Sequence, residues 1–104
     1  MIREIHVNVK EYDAYIKLNF NGFNFNTSAI LQSELAKLTT NKIIKNVYFD
    51  FSNVNYILSV GIAILVEFYR KISLREGQII LQNLDIHIKR VFRSNKLDKL
   101  MKIE

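Results

Sequence analysis

The sequence predicts a single α/β domain built on one mixed β-sheet, with the element order β-β-α-β-α-β-α-β and helices mainly on one face. Three observations predict it. Two neighbouring segments near the amino end alternate apolar and polar residues with period two, as half-buried strands do. Three later segments repeat apolar residues at helical spacing, and short β-rich runs separate them. Strand and helix therefore alternate along most of the chain, which is the pattern of crossover units joining parallel strands. A length of 104 residues fits one domain spanning 1–104 and leaves little room for a second.

The first strand is expected over residues 2–9, with Ile5, Val7 and Val9 on one side and Glu4, His6 and Asn8 on the other. Glu11-Tyr12-Asp13 supplies a turn, and Ala14 to Phe20 alternates again through Ile16, Leu18 and Phe20. A short join between alternating strands reads as an antiparallel hairpin. Asn21-Gly22 closes it with a residue able to take positive φ. Asn26, Thr27 or Ser28 can then cap a helix carrying Ala29, Ile30, Leu31, Leu35 and Leu38, which Thr39-Thr40-Asn41 ends.

Lys45 to Phe51 is the expected central strand, parallel to the one before the helix. Val60 to Arg75 reads as the second helix, with Gly61, Ile64 or Leu65, Phe68 and Ile72 facing the sheet and Glu76-Gly77 as its stop. A neighbouring stripe, Ile62, Val66 and Tyr69, is apolar surface beyond what one face can bury. It is either a contact patch or covered by another helix of the chain. Ile79 to Leu81 forms the next strand. Asp85 caps a third helix containing Ile86, Ile88, Val91 and Phe92, which Ser94-Asn95 ends, and residues 97–103 leave room for a helical turn and a short last strand.

Composition narrows the function classes. Hydrophobic residues make up 49% and charged residues 24%, as in an ordinary globular protein. No apolar window is long enough for a membrane span, and the amino end lacks the apolar core of a secretion signal. The chain has no cysteine, so it offers neither disulfides nor a thiolate, and a reducing cytoplasm is the expected location. His6 and His87 have no ligand-spaced partner and read as surface or partly buried side chains, so no metal site and no cofactor are expected. Ile57 stands where a serine hydrolase elbow needs glycine, and three glycines in all leave no phosphate loop.

The net charge is +5 and the pI about 9.6. The basic excess sits in Lys89, Arg90, Arg93, Lys96, Lys99 and Lys102, at helix-like spacing and without interleaved aromatics. That reads as a solvated helix face, so no nucleic acid is expected as the main partner.

The stretch Phe49-Asp50-Phe51-Ser52-Asn53-Val54-Asn55-Tyr56-Ile57-Leu58-Ser59-Val60-Gly61-Ile62 draws the attention of any search for function. It places Ser59 just beyond a strand's carboxyl end and at the amino end of an apolar helix, where α/β sheets usually meet ligands and where backbone N–H groups favour negative charge. Serine is also a common helix cap, and capping alone would account for it.

This stretch resembles the STAS domain of sulphate transporters and anti-sigma factor antagonists, in which a "v-l-D-l-s-x-v" strand leads through "D-S-[S/T]-G-L-G" into an apolar helix. Gly77-Gln78-Ile79-Ile80-Leu81 and Ile88-Lys89-Arg90-Val91-Phe92 resemble two further family segments, and Gly22 with Asn26 the lead into its first helix. The resemblance implies an antagonist, without catalysis of its own, that captures an anti-sigma factor with serine-kinase activity. The motif serine, here Ser59, would be the phosphorylated switch. The implied docking surface comprises Asn55, Tyr56, Leu58, Ser59 and Val60, extended along the helix by Ile62, Val66 and Tyr69. Leu58 replaces the motif's Asp and Val60 its Ser/Thr; both changes make the loop more apolar, which favours constitutive docking over a charge switch. A phosphorylation-independent scaffold subunit of a transporter ATPase or signalling complex is the alternative partner role, and a basic nucleic-acid-binding module a more distant one. In the family a glycine ends the third helix; Lys96 stands there, and Asn95 is expected to take the left-handed conformation instead.

Overall fold

The structure, a computed structural model, describes residues 4–104. The expected start of the first strand at residue 2 lies outside that range. Strand β1 (Ile5–Lys10) pairs antiparallel with β2 (Asp13–Leu18) across a tight turn in which Glu11 takes a left-handed φ of 54°. The turn is tied down from below, because Lys45 and Asn46 both donate backbone N–H bonds to the Tyr12 carbonyl. Along β2 the alternation read from the sequence is realised: Ala14, Ile16 and Leu18 are buried, while Tyr15 and Lys17 are exposed.

After β2 the chain departs from the expected course. Gly22–Phe23 forms a two-residue strand, β3, that leads directly into α1 (Phe25–Thr40). Gly22 does not use positive φ; no glycine in the described chain does. It is glycine because a Cβ there would lie 1.9 Å from the Tyr56 ring. The helix cap also falls earlier than Asn26, Thr27 or Ser28. Asn24 is the N-cap, its Oδ1 accepting from Thr27 N–H at 3.0 Å while Thr27 Oγ1 accepts from Asn24 N–H at 3.0 Å, a reciprocal capping box. This shift puts Phe25 in the first turn, 75% exposed.

Strand β4 (Asn46–Asp50) lies at the centre of the five-stranded sheet, parallel to β2 and to β6 (Gln78–Gln82). Between them run β5 (Tyr56–Ile57), which pairs in parallel with β3, and α2 (Ser59–Ser73). The last part is α3 (Ile86–Ser94), a 3-10 turn (Leu97–Lys99) and β7 (Lys102–Ile103), parallel to β6. The main sheet thus runs β1-β2-β4-β6-β7, the mixed sheet that alternation predicted, and the β3–β5 pair is an addition to it.

Phenylalanines knit the core together. Phe51 packs against Phe23 of β3, Phe49 of β4 and Phe92 of α3, with ring centroids 5.6, 6.4 and 6.0 Å away. Phe49 in turn meets Phe68 of α2 edge-on. Of α2, Gly61, Leu65, Phe68 and Ile72 are buried, the stripe predicted to face the sheet.

Two helix ends depart from expectation. At the end of α2 it is Glu76, at φ 59°, that turns left-handed, and Gly77 is needed for a close approach to the Lys45 carbonyl. After α3, Asn95 keeps φ −95° and Lys96 takes φ 58°, so lysine itself adopts the conformation that suits glycine. The end of α1 is closed from outside. Arg75 donates to the carbonyls of Thr39, Asn41 and Ile44 at 2.9 to 3.2 Å. Removing this fork leaves the Thr39 and Ile44 carbonyls unpaired, while that of Asn41 keeps the Ile44 N–H, so Arg75→Ala should lower stability by about 1–2 kcal/mol in chemical denaturation.

Candidate functional site

The carboxyl ends of β2, β4 and β6 and the amino ends of α1, α2 and α3 share one end of the molecule, because each parallel strand feeds a helix that runs back along it. The stretch between β4 and α2 crosses this end and is anchored at several points. Phe51 N–H donates to Gln82 O, Asn55 N–H to Asn21 O and Leu58 N–H to Phe23 O, each at 2.9 Å. Asn24 Nδ2 donates to the Tyr56 hydroxyl at 3.3 Å. Asp50, the acid at the end of β4, accepts from Ser52 N–H at 2.9 Å and from Asn83 Nδ2 at 3.1 Å.

Partial burial pushes the Asp50 carboxyl up, but the bonds from Asn83 and Ser52 and the charge of Lys17 outweigh it and hold the group below its ordinary value of 3.8. A carboxylate whose folded pKa is depressed adds stability above its unfolded pKa and loses it as pH falls through the folded one. Asp50→Asn should therefore flatten the decline in melting temperature as the pH is lowered below 3.8, where the wild type loses this contribution.

Ser59 occupies the first helical position of α2 rather than the cap. The N-cap is Leu58, in extended conformation with no side-chain cap bond. Gly61 and Ile62 N–H groups donate to the Leu58 carbonyl, whereas those of Ser59 and Val60 have no acceptor among the described residues. The Ser59 hydroxyl is exposed and makes no hydrogen bond among the described residues. Capping therefore does not account for this serine. The first turn also holds no acidic residue, so an anion carried on Ser59 would meet an unneutralised helix end. Two residues on, a Cβ on Gly61 would come within 2.7 Å of Phe23 Cβ and 3.0 Å of Ile57, so glycine lets the first turn lie flat on the β3–β5 pair.

The sequence-predicted residues divide into two groups. Asn55, Tyr56, Leu58 and Ser59 are exposed around the loop, Tyr56 by 40% and Leu58 by 45%, and Val60 is half-buried beside them. Ile62, Val66 and Tyr69 are half-buried and packed on the core. Tyr69 lies ten residues beyond Ser59, about 15 Å along the helix. There it borders a groove formed with Gly77 and the Asp98–Met101 segment.

Sequence reasoning missed Phe25 and Ile86, 75% and 60% exposed in the first turns of α1 and α3. Phe25 was discoverable: an Asn24 cap paired with Thr27 puts residue 25 at the helix start, where a side chain has little of the helix to pack on. His6 and His87 are exposed, and the described residues hold no group of three or more potential metal ligands. No helix among them is long and apolar enough to cross a membrane.

The fold has well-defined relatives. An anti-sigma-factor antagonist (STAS) domain protein from Planctomyces limnophilus superposes with a TM-score of 0.87 at 16% identity, over 100% of this chain and 91% of that one. An anti-sigma factor antagonist from Mycobacterium paratuberculosis gives 0.81 at 18% identity, over 95% and 82%. The Bacillus cell fate determinant SpoIIAA in its phosphorylated form gives 0.76 at 16% identity, over 96% and 90%. At such identities the likeness is one of fold. A search of curated protein sequences returns no match. The family model described as STAS domain matches residues 6–104, nearly the whole chain, and on that match the chain belongs to the STAS domain family.

Proposed function

We propose that this chain is a regulatory binding protein of the anti-sigma factor antagonist type, without catalysis of its own, which captures a partner serine kinase or anti-sigma factor at the Ser59 end and is released by phosphorylation of Ser59. The observation that carries the reading is the Ser59 hydroxyl, exposed, uncommitted to capping and set on a helix end with free N–H groups. Tyr56, Leu58, Phe25 and Ile86 present apolar contact area around it. A phosphate there adds nearly two negative charges and three acceptors, which the helix end tolerates and an apolar docking surface does not.

The test pairs a partner serine kinase and ATP with the wild-type protein and with Ser59→Ala. Intact mass should show one phosphate on the wild type and none on the variant, and Ser59→Asp should weaken capture at least about tenfold. No phosphate on the wild type, or full-strength capture by Ser59→Asp, overturns the switch.

A second reading, a phosphorylation-independent scaffold subunit of a transporter ATPase or signalling complex, draws on Leu58, 45% exposed where the family motif carries an acid. It expects a co-purifying complex that Ser59→Ala and Ser59→Asp leave intact and that Leu58→Asp breaks. Leu58 is the better probe than Ile62, because Ile62 packs on the core and a charge there would also unfold the helix.

A further inference from the structure

The helices cover one face of the main sheet and leave the other open. Strand register sorts the open face into three rows. His6, Lys17, Asp50 and Gln82 form one; Asn8, Tyr15, Tyr48, Ile80 and Lys102 the middle one; Lys10, Asp13, Asn46 and Gln78 the third. In the middle row Tyr15 and Tyr48 stand on adjacent strands with their rings stacked, centroids 4.8 Å apart and planes 10° from parallel. Tyr15 is 40% exposed. A groove of about 260 Å³ runs over this pair between His6, Asn8, Lys17, Asp50 and Gln82, so one cation and one carboxylate line it together.

The hydrogen-bonding state of the face is uneven. Its acids are engaged with amides: Asp13 with Asn46 at 2.9 Å, Asp50 with Asn83 at 3.1 Å and Glu104, at the edge beside Gln82, with Gln82 at 3.2 Å. The side chains of His6, Asn8, Lys10 and Lys17 and both tyrosine hydroxyls have no hydrogen-bond partner among the described residues. What is left without a hydrogen bond is thus the Lys10 and Lys17 amines, the latter beside the Asp50 charge, with the His6 ring, the Asn8 amide and two hydroxyls next to an aromatic stack. Such a surface complements a planar ring attached to an anion, which is the make-up of a nucleotide unit. The groove takes its lining from four neighbouring strands, β1, β2, β4 and β6, and so crosses the sheet, which suits a strand laid across it better than a single small ligand. The stacking platform that the basic carboxyl-terminal segment lacks is present here, on a different surface.

We propose that the open sheet face binds single-stranded nucleic acid, with a base extending the Tyr15–Tyr48 stack and phosphates on Lys17 and Lys10. This is independent of the Ser59 reading and uses none of its residues. Because the cations are few and the acids remain charged, the affinity is modest, with a log–log salt slope of about −1 to −2.

Fluorescence anisotropy of a labelled oligothymidylate of about fifteen nucleotides tests it. The expected result is saturable binding that falls with salt, weakens about tenfold in Tyr15→Leu, and weakens again in Lys17→Glu. The double variant Lys89→Ala/Arg93→Ala, on α3, should bind as the wild type does. Melting temperatures near the wild-type value establish that the Tyr15 and Lys17 variants fold. Absence of saturable binding, survival of binding in Tyr15→Leu, or loss of binding in the α3 variant instead overturns the proposal. So does equal affinity for a duplex, or displacement by thymidine monophosphate at an equal nucleotide concentration.

Discussion

Phe51→Ala is expected to lower the stability of the protein by about 3–5 kcal/mol, measured by urea denaturation. Phe51 is fully buried and touches rings from three different elements: Phe23 of β3, Phe49 of β4 and Phe92 of α3. Truncation removes the transfer free energy of the ring, opens a cavity that three elements would have to close together, and breaks aromatic pairs worth about 0.5–1.5 kcal/mol each. It also loosens the support of the Ser59 loop, because the Phe51 ring packs on Phe23, whose carbonyl accepts from Leu58 N–H at 2.9 Å. A loss below about 1 kcal/mol would show that these rings do not pack as a unit.

Gly77→Ala is expected to cost about 2–4 kcal/mol, at the upper end of overpacking effects. The new methyl would lie 2.2 Å from the Lys45 carbonyl oxygen and 2.7 Å from Ile72 Cγ2. The carbonyl cannot swing aside as a side chain could. It is backbone, it accepts from Gln78 N–H at 2.9 Å, and it precedes the central strand. Relief would need β6 to part from β4 at their shared lower end. Native-state hydrogen exchange should show faster opening of Ile79 to Leu81 in this variant, and unchanged exchange with unchanged stability would contradict the close approach.

Much of this architecture was legible in the residues. Period-two alternation in β1 and β2 and the apolar stripe of α2 are driven by one buried face each, and that physics acts locally enough to leave a pattern. The β3–β5 pair was not legible, since two residues per strand carry no period. Gly22 and Gly77 were misread for one reason. Glycine serves either dihedral freedom or closeness, and only the folded neighbours, Tyr56 and Lys45, tell which. The left-handed turns at Glu76 and Lys96 are imposed by helix ends that tertiary packing fixes, against the preference of those side chains. At the site, the position of Ser59 on a helix start could be read from the motif. That Leu58 is the N-cap, leaving the serine uncommitted, depended on where β5 hands over to α2.

The small β3–β5 pair bears on how quickly a partner could engage. It joins the starts of α1 and α2 through Gly22–Tyr56 and Phe23–Ile57 pairing, and the Leu58 N–H bond to Phe23 continues the tie up to Ser59. On the proposed reading, the surface around Ser59 is therefore set in shape by folding, before any encounter. A partner meeting it would find the backbone already tied, so the ordering entropy falls on exposed side chains such as Leu58 and Phe25 and less on the loop, which favours association governed by collision and orientation.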